Sequence, residues 1–142
     1  MVVANMAIQI AFMLFVLRLL MRKTAENPIG SGWAYQTRIL GSIVLILFLG
    51  HVLQFATWAI LYEYLDEFSD FETAFYFSTV SFTSLGYGDI ILSKEWRLLG
   101  GLEAANGVLM FGLSAGAILS VMTKLLNIGR PELGRQLRRD PE

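Results

Sequence analysis

Three stretches of the chain are apolar over the length of a membrane crossing, and polar residues gather between them. Val2 to Met21 runs about 20 residues without an acid, enough at about 1.5 Å per residue to cross a hydrocarbon core of about 30 Å. The basic residues Arg18, Arg22 and Lys23 follow this run, whereas a cleaved leader carries them in front, so the pattern predicts a retained helix over 1–23. Its polar members Asn5, Gln9, Arg18 and Arg22 do not share one helical face, which argues against a helix lying on the surface. Residues 24–38 hold Pro28, Gly30 and Gly32, then Trp33 and Tyr35, and are expected to form a connector. The second span is expected over 39–62, with Trp58, Tyr62 and Tyr64 as its aromatic belt, and the third over 97–127. Residues 128–142 read as a short polar tail in which Gly129, Pro131 and Pro141 break any long helix.

Between the second and third spans the pattern changes twice. Glu63, Asp66, Glu67, Asp70 and Glu72 form an acidic loop. Ser69-Asp70-Phe71-Glu72 then has the spacing of a capping box with the serine as cap, which predicts a helix over 70–82. About 13 residues span only about 20 Å, too little to cross. A short helix followed at once by Thr83-Ser84-Leu85-Gly86-Tyr87-Gly88-Asp89 is expected to be re-entrant, and irregular backbone at that depth must be enclosed by protein or line a wet path.

Composition makes this a membrane protein: 55% of the 142 residues are hydrophobic, 16% are charged, and the mean hydropathy is +0.56. No cysteine and a single histidine exclude disulfides, thiolate metal sites and a metal cluster within one chain. No set of nucleophile, base and orienting group is present, so the chain does not read as an enzyme. Nine of the eleven basic residues (Arg18, Arg22, Lys23, Arg38, Lys124, Arg130, Arg135, Arg138 and Arg139) flank the first connector or follow the third span. Basic residues stay in the cytoplasm, which places the N-terminus outside and the tail inside, most simply in a plasma or inner membrane. The acidic loop and Asp89 then ring an outer mouth, either concentrating cations there or serving as solvated loop charge.

Backbone carbonyls can all face one way only if left- and right-handed dihedrals alternate, and glycine visits the left-handed region at little cost. Gly86 and Gly88, two apart around Tyr87, suit that backbone. The run Gly86-Tyr87-Gly88-Asp89 resembles the selectivity filter of potassium channels, with Ser84 and Leu85 where that family usually has threonine and valine. Leu98 to Leu109 is similar to the inner helix of voltage-gated members, and the resemblance carries their hinge glycine onto Gly107, with Gly112 and Gly116 as alternatives; close helix packing explains the same glycines. Val108, Phe111, Ala115 and Leu119 then share a face that lines an inner cavity or packs as ordinary core. No arginine-every-third-residue span is present, so the likeness covers the part from the second span onward and is closest to two-helix bacterial pore domains, with an N-terminal helix it does not explain.

The resemblance implies an all-α homotetramer, three identical subunits joining each chain in membrane lipid without nucleic acid, that conducts K⁺ past carbonyl rings from Ser84, Leu85, Gly86 and Tyr87. Two rivals stand beside it: a weakly selective cation channel, and a non-conducting interaction subunit of the same fold. Ser84 lacks the β-branch of threonine, so its hydroxyl is expected to be less firmly ordered toward the ion. Glu103, the acid inside the third span, is expected to brace the short helix or the back of the filter through Ser81 or Thr83, or else to snorkel outward. His51 is either a functional intramembrane group or a neutral imidazole bonded to a neighbouring helix.

Overall fold

A computed structural model describes residues 1–26 and 32–136. Its four helices are α1 (Val2–Glu26), α2 (Trp33–Tyr64), α3 (Phe71–Phe82) and α4 (Arg97–Gln136), with no strand among the described residues. Three of them are long and apolar enough to cross a membrane, over Val2–Arg22, Trp33–Tyr64 and Arg97–Leu125, and the chain is an integral membrane protein.

The ends differ from the sequence expectations for local reasons. α2 begins at Trp33 rather than at 39, because Gly32 in extended backbone caps it and its first turns carry no breaker. Trp33 and Tyr35 are therefore helical, while residues 27–31 of the expected connector lie outside the described residues. α2 stops in a Schellman turn: Asp66 takes φ 56°, its amide bonds Glu63 O, and the Glu67 amide bonds Tyr62 O. α3 is capped by Asp70, not Ser69, since the carboxylate accepts the Thr73 amide at 2.8 Å while Ser69 only donates to Asp70. α4 does not end near Asn127 but continues through Gly129 and Pro131 to Gln136, because a proline deletes one backbone rung and leaves the others. Residues 137–142, with Arg138, Arg139 and Pro141, lie outside the described residues.

The helices pack in three layers along their length. Phe55, Trp58, Ala59 and Tyr62 of α2 meet Ala74, Phe77 and Phe82 of α3, with Leu92 and Met110, in an aromatic core around the short helix. At the other end Val16 and Leu20 of α1, Ile39, Ile43 and Leu47 of α2, and Val121 and Leu125 of α4 form an aliphatic core. Between the two lies a buried polar layer: Asn5 and Gln9 of α1, His51 and Gln54 of α2, and Ser114 of α4. α1 is thus held by side-chain hydrogen bonds as well as by packing, which matters in lipid, where apolar contact alone barely favours one helix neighbour over the surrounding tails.

Candidate functional site

The seven residues after α3 make an exposed, irregular segment whose backbone is anchored at its start. The amides of Ser84, Leu85 and Gly86 turn back to Ser81 O at 2.9 Å and Val80 O at 3.0 and 3.3 Å, using carbonyls that the end of α3 leaves free. φ is positive at Ser84 (60°), Gly86 (56°) and Gly88 (74°), and negative at Leu85 and Tyr87. The left-handed pair expected at Gly86 and Gly88 is therefore part of an alternation that begins one step earlier. Ser84 was missed because serine gives no left-handed signal by itself; the spacing of two, extended back from Gly86, is the signal that finds it.

Among the described residues no donor reaches the carbonyl oxygens of Ser84, Leu85, Gly86 or Tyr87. Thr83 differs, because its hydroxyl donates to Thr79 O at 2.6 Å and serves the end of α3. A run of four undonated carbonyls beside a short helix is costly at membrane depth unless something else fills their lone pairs.

Four contacts hold the segment. At its far end Tyr76 Oη donates to Asp89 Oδ2 at 2.6 Å. Glu67 accepts from both the amide and the hydroxyl of Ser93, at 2.8 and 2.7 Å, tying the acidic loop to the irregular stretch that leads into α4. Behind α3, Glu103 is fully buried and accepts from Ser78 at 2.6 Å and Tyr62 at 2.7 Å. Its partners are thus Ser78 and Tyr62 in place of the expected Ser81 or Thr83. The fourth is Gly107, where an added Cβ would lie 1.9 Å from Phe82 O, so α4 touches the backbone of α3 directly.

Of the residues expected along α4, Val108, Gly112, Ala115 and Leu119 are exposed on the single chain. Phe111 is exposed as well, while its ring also packs against His51 and Phe82, with centroids 4.5 and 5.8 Å apart. One turn from Glu103, the side chain of Asn106 is buried with neither amide atom hydrogen-bonded to a described residue, a feature no sequence pattern announced.

The hydrogen bond from Tyr76 holds the Asp89 carboxyl below its ordinary value of 3.8, and the neighbouring carboxylate pushes the Tyr76 phenol up. A depressed carboxylate value means that the brace contributes fully above the ordinary value and is lost as pH falls through the lowered one. Tyr76→Phe is accordingly expected to loosen the segment at every pH above that window, read as solvent exchange of the Gly88 and Asp89 amides that is faster relative to the intrinsic rate at the same pH, while acidification from pH 7 to 5 leaves that ratio unchanged in the wild type. Equal exchange in the variant would show that Asp89 is held by something else.

Residues 42–124, more than half of the chain, match a protein family described as ion channel. The matched region runs from the first turns of α2 to Lys124 and contains α3, the irregular segment and every contact just described. No curated protein and no solved structure matches the chain.

Proposed function

Because the chain belongs to this ion-channel family, we propose that four copies assemble around an axis beside residues 83–89 and conduct potassium ions passively. The observation that carries the reading is the run of carbonyls from Ser84 to Tyr87, undonated among the described residues and joined by backbone whose φ alternates in sign. Four such runs supply rings of oxygen that replace the water a K⁺ ion gives up. In this reading α3 is the re-entrant pore helix, the segment after it returns to the same face, and the C-terminal end of α3 directs partial negative charge toward the cavity below. Basic residues around the connector and after the third span put those ends in the cytoplasm, with the N-terminus and Asp89 outside, in a plasma or inner membrane.

Gly88→Ala tests this. The residue sits at φ 74°, where a Cβ costs about 1–2 kcal/mol, or roughly 4–8 kcal/mol over four subunits, while nothing lies within 4 Å to obstruct the methyl itself. Strain, not bulk, should then abolish potassium selectivity in purified protein, measured as the reversal potential with potassium on one side of a bilayer and sodium on the other. Wild-type selectivity in the variant would remove the segment from the ion path.

A weakly selective pore is the second reading. The Ser84 hydroxyl makes no hydrogen bond to a described residue, leaving the innermost ring less ordered than the rest. The same reversal potential in the wild type separates the two, since a weakly selective pore reverses near zero.

A further inference from the structure

The polar layer closes on itself. Gln54 Nε2 donates to Gln9 Oε1 at 3.1 Å and to Asn5 O at 3.2 Å, so Gln54 Oε1 is the acceptor facing His51 Nδ1 at 3.0 Å. Nδ1 therefore carries the imidazole hydrogen, and Nε2 is left to accept from Ser114 Oγ, also at 3.0 Å. Gln9 Nε2 donates to Ser114 Oγ at 2.8 Å and completes the circuit. Ser114 to His51 to Gln54 to Gln9 and back to Ser114 is one ring of hydrogen bonds running in a single direction through α4, α2 and α1.

The ring is the last of three fixed points on α4. Glu103 is bonded to Ser78 and Tyr62, and Gly107, seven residues before Ser114, is seated on the Phe82 carbonyl. A helix held at two points two turns apart cannot bend between them without breaking directional contacts, and hydrogen bonds weaken steeply when misaligned. Beyond Ser114 the contacts change character. Val121 and Leu125 meet α1 and α2 in a cluster of apolar side chains (Val16, Leu20, Ile39, Ile43 and Leu47), and apolar contact is non-directional, so it shifts at less cost than an aligned hydrogen bond. A groove of about 350 Å³, lined by Leu14, Leu17 and Leu20 of α1 and by Ala117, Val121 and Lys124 of α4, also leaves room beside this half of the helix. The first glycine past the ring is Gly116, and nothing lies within 4 Å of where its Cβ would be.

We propose that the Gln9–Gln54–His51–Ser114 ring is the pivot of α4: the helix is immobile above it, and its cytoplasmic part swings from Gly116 over the aliphatic surface of α1 and α2. α1 is then part of the gating apparatus, and Gln9 and His51 are positioning residues that decide where the inner helix bends. The hinge lies at Gly116, below the ring, in place of Gly107. This rests on reading α4 as the inner helix of the pore.

The absence of native cysteine allows unique spin labels. Within one chain, diluted into unlabelled protein in lipid nanodiscs, distances are measured from a label at Leu53 on α2 to one at Leu113, above Gly116, or at Met122, below it; all three side chains are exposed. In the wild type the distribution to 113 is expected to be narrow and that to 122 broad. Gly116→Ala narrows the distribution at 122, since alanine favours straight helix by about fivefold per subunit, and shifts the open–closed equilibrium of single channels in the same sense. Gln9→Leu breaks the ring and broadens the distribution at 113; Gln9→Met, which keeps the length of the side chain and removes both its donor and its acceptor without adding charge, does so too if the leucine variant fails to fold. Equal widths at 113 and 122 in the wild type, or an unchanged width at 113 in both Gln9 variants, would overturn the pivot. These distances are read whether or not ions flow, so a pore that fails to conduct counts against the proposed function, not against the ring.

Discussion

Gly107→Ala is expected to force α4 away from α3 and to leave the proposed oligomer unassembled. The added methyl carbon would stand 1.9 Å from the carbonyl oxygen of Phe82 and 2.8 Å from its carbonyl carbon and its Cδ1. A side-chain obstacle can rotate away; a backbone carbonyl at the end of a helix cannot. α4 must therefore draw back from α3, and overpacking of this kind costs about 1–3 kcal/mol even where neighbours adjust. Here the retreat also stretches the 2.6 Å contact between Ser78 and Glu103 in the same interface, so the loss should lie at or above the top of that range. Thermal unfolding in detergent, scored with the oligomer fraction on a sizing column, reads the effect. Gly41→Ala, a change on α2 with nothing within 4 Å, is the control and should be neutral or slightly stabilising. A Gly107→Ala protein as stable as the control would mean that the two helices do not touch there.

Glu103→Ala is the second large effect, and its comparison with Glu103→Gln gives the reason. Glu103 joins three helices: it stands on α4 and receives Ser78 from α3 and Tyr62 from α2, all three being buried. Alanine leaves the Tyr62 hydroxyl without its acceptor and opens a cavity behind the short helix, together about 3–5 kcal/mol. Glutamine keeps both contacts. Its oxygen accepts from Tyr62, and its amide donates to Ser78 Oγ, which still has Phe55 O at 2.9 Å for its own hydrogen. The glutamine variant should therefore stay within about 1 kcal/mol of the wild type. Measured as thermal midpoint and open probability together, alanine falls on both and glutamine on neither. If the alanine variant matches the wild type, Glu103 does not brace α3 against α2 and α4; if glutamine is as damaged as alanine, the carboxylate acts through its charge and not through these bonds.

The three spans, the short helix after the acidic loop, and Gly86 and Gly88 as left-handed positions were all legible before any contact was known. Each depends on information held within a few residues: the length of an apolar run, a capping side chain beside its amide, a residue without Cβ where φ is positive. The cap moved by one residue, from Ser69 to Asp70, because two adjacent candidates compete and only the built turn shows which oxygen reaches Thr73. The partners of Glu103, the reason for Gly107, the ring through His51 and the orphan amide of Asn106 were decided by the tertiary structure alone. These depend on how far each helix is rotated about its axis and slid along it. One residue of rotation is about 100°, and α2 is apolar nearly all round, so no stripe in the sequence says which side faces α1 or α4. In water a hydrophobic face would set that angle. In lipid it is set by the few polar side chains that must find one another, and which of them do so is known only when the helices are in place.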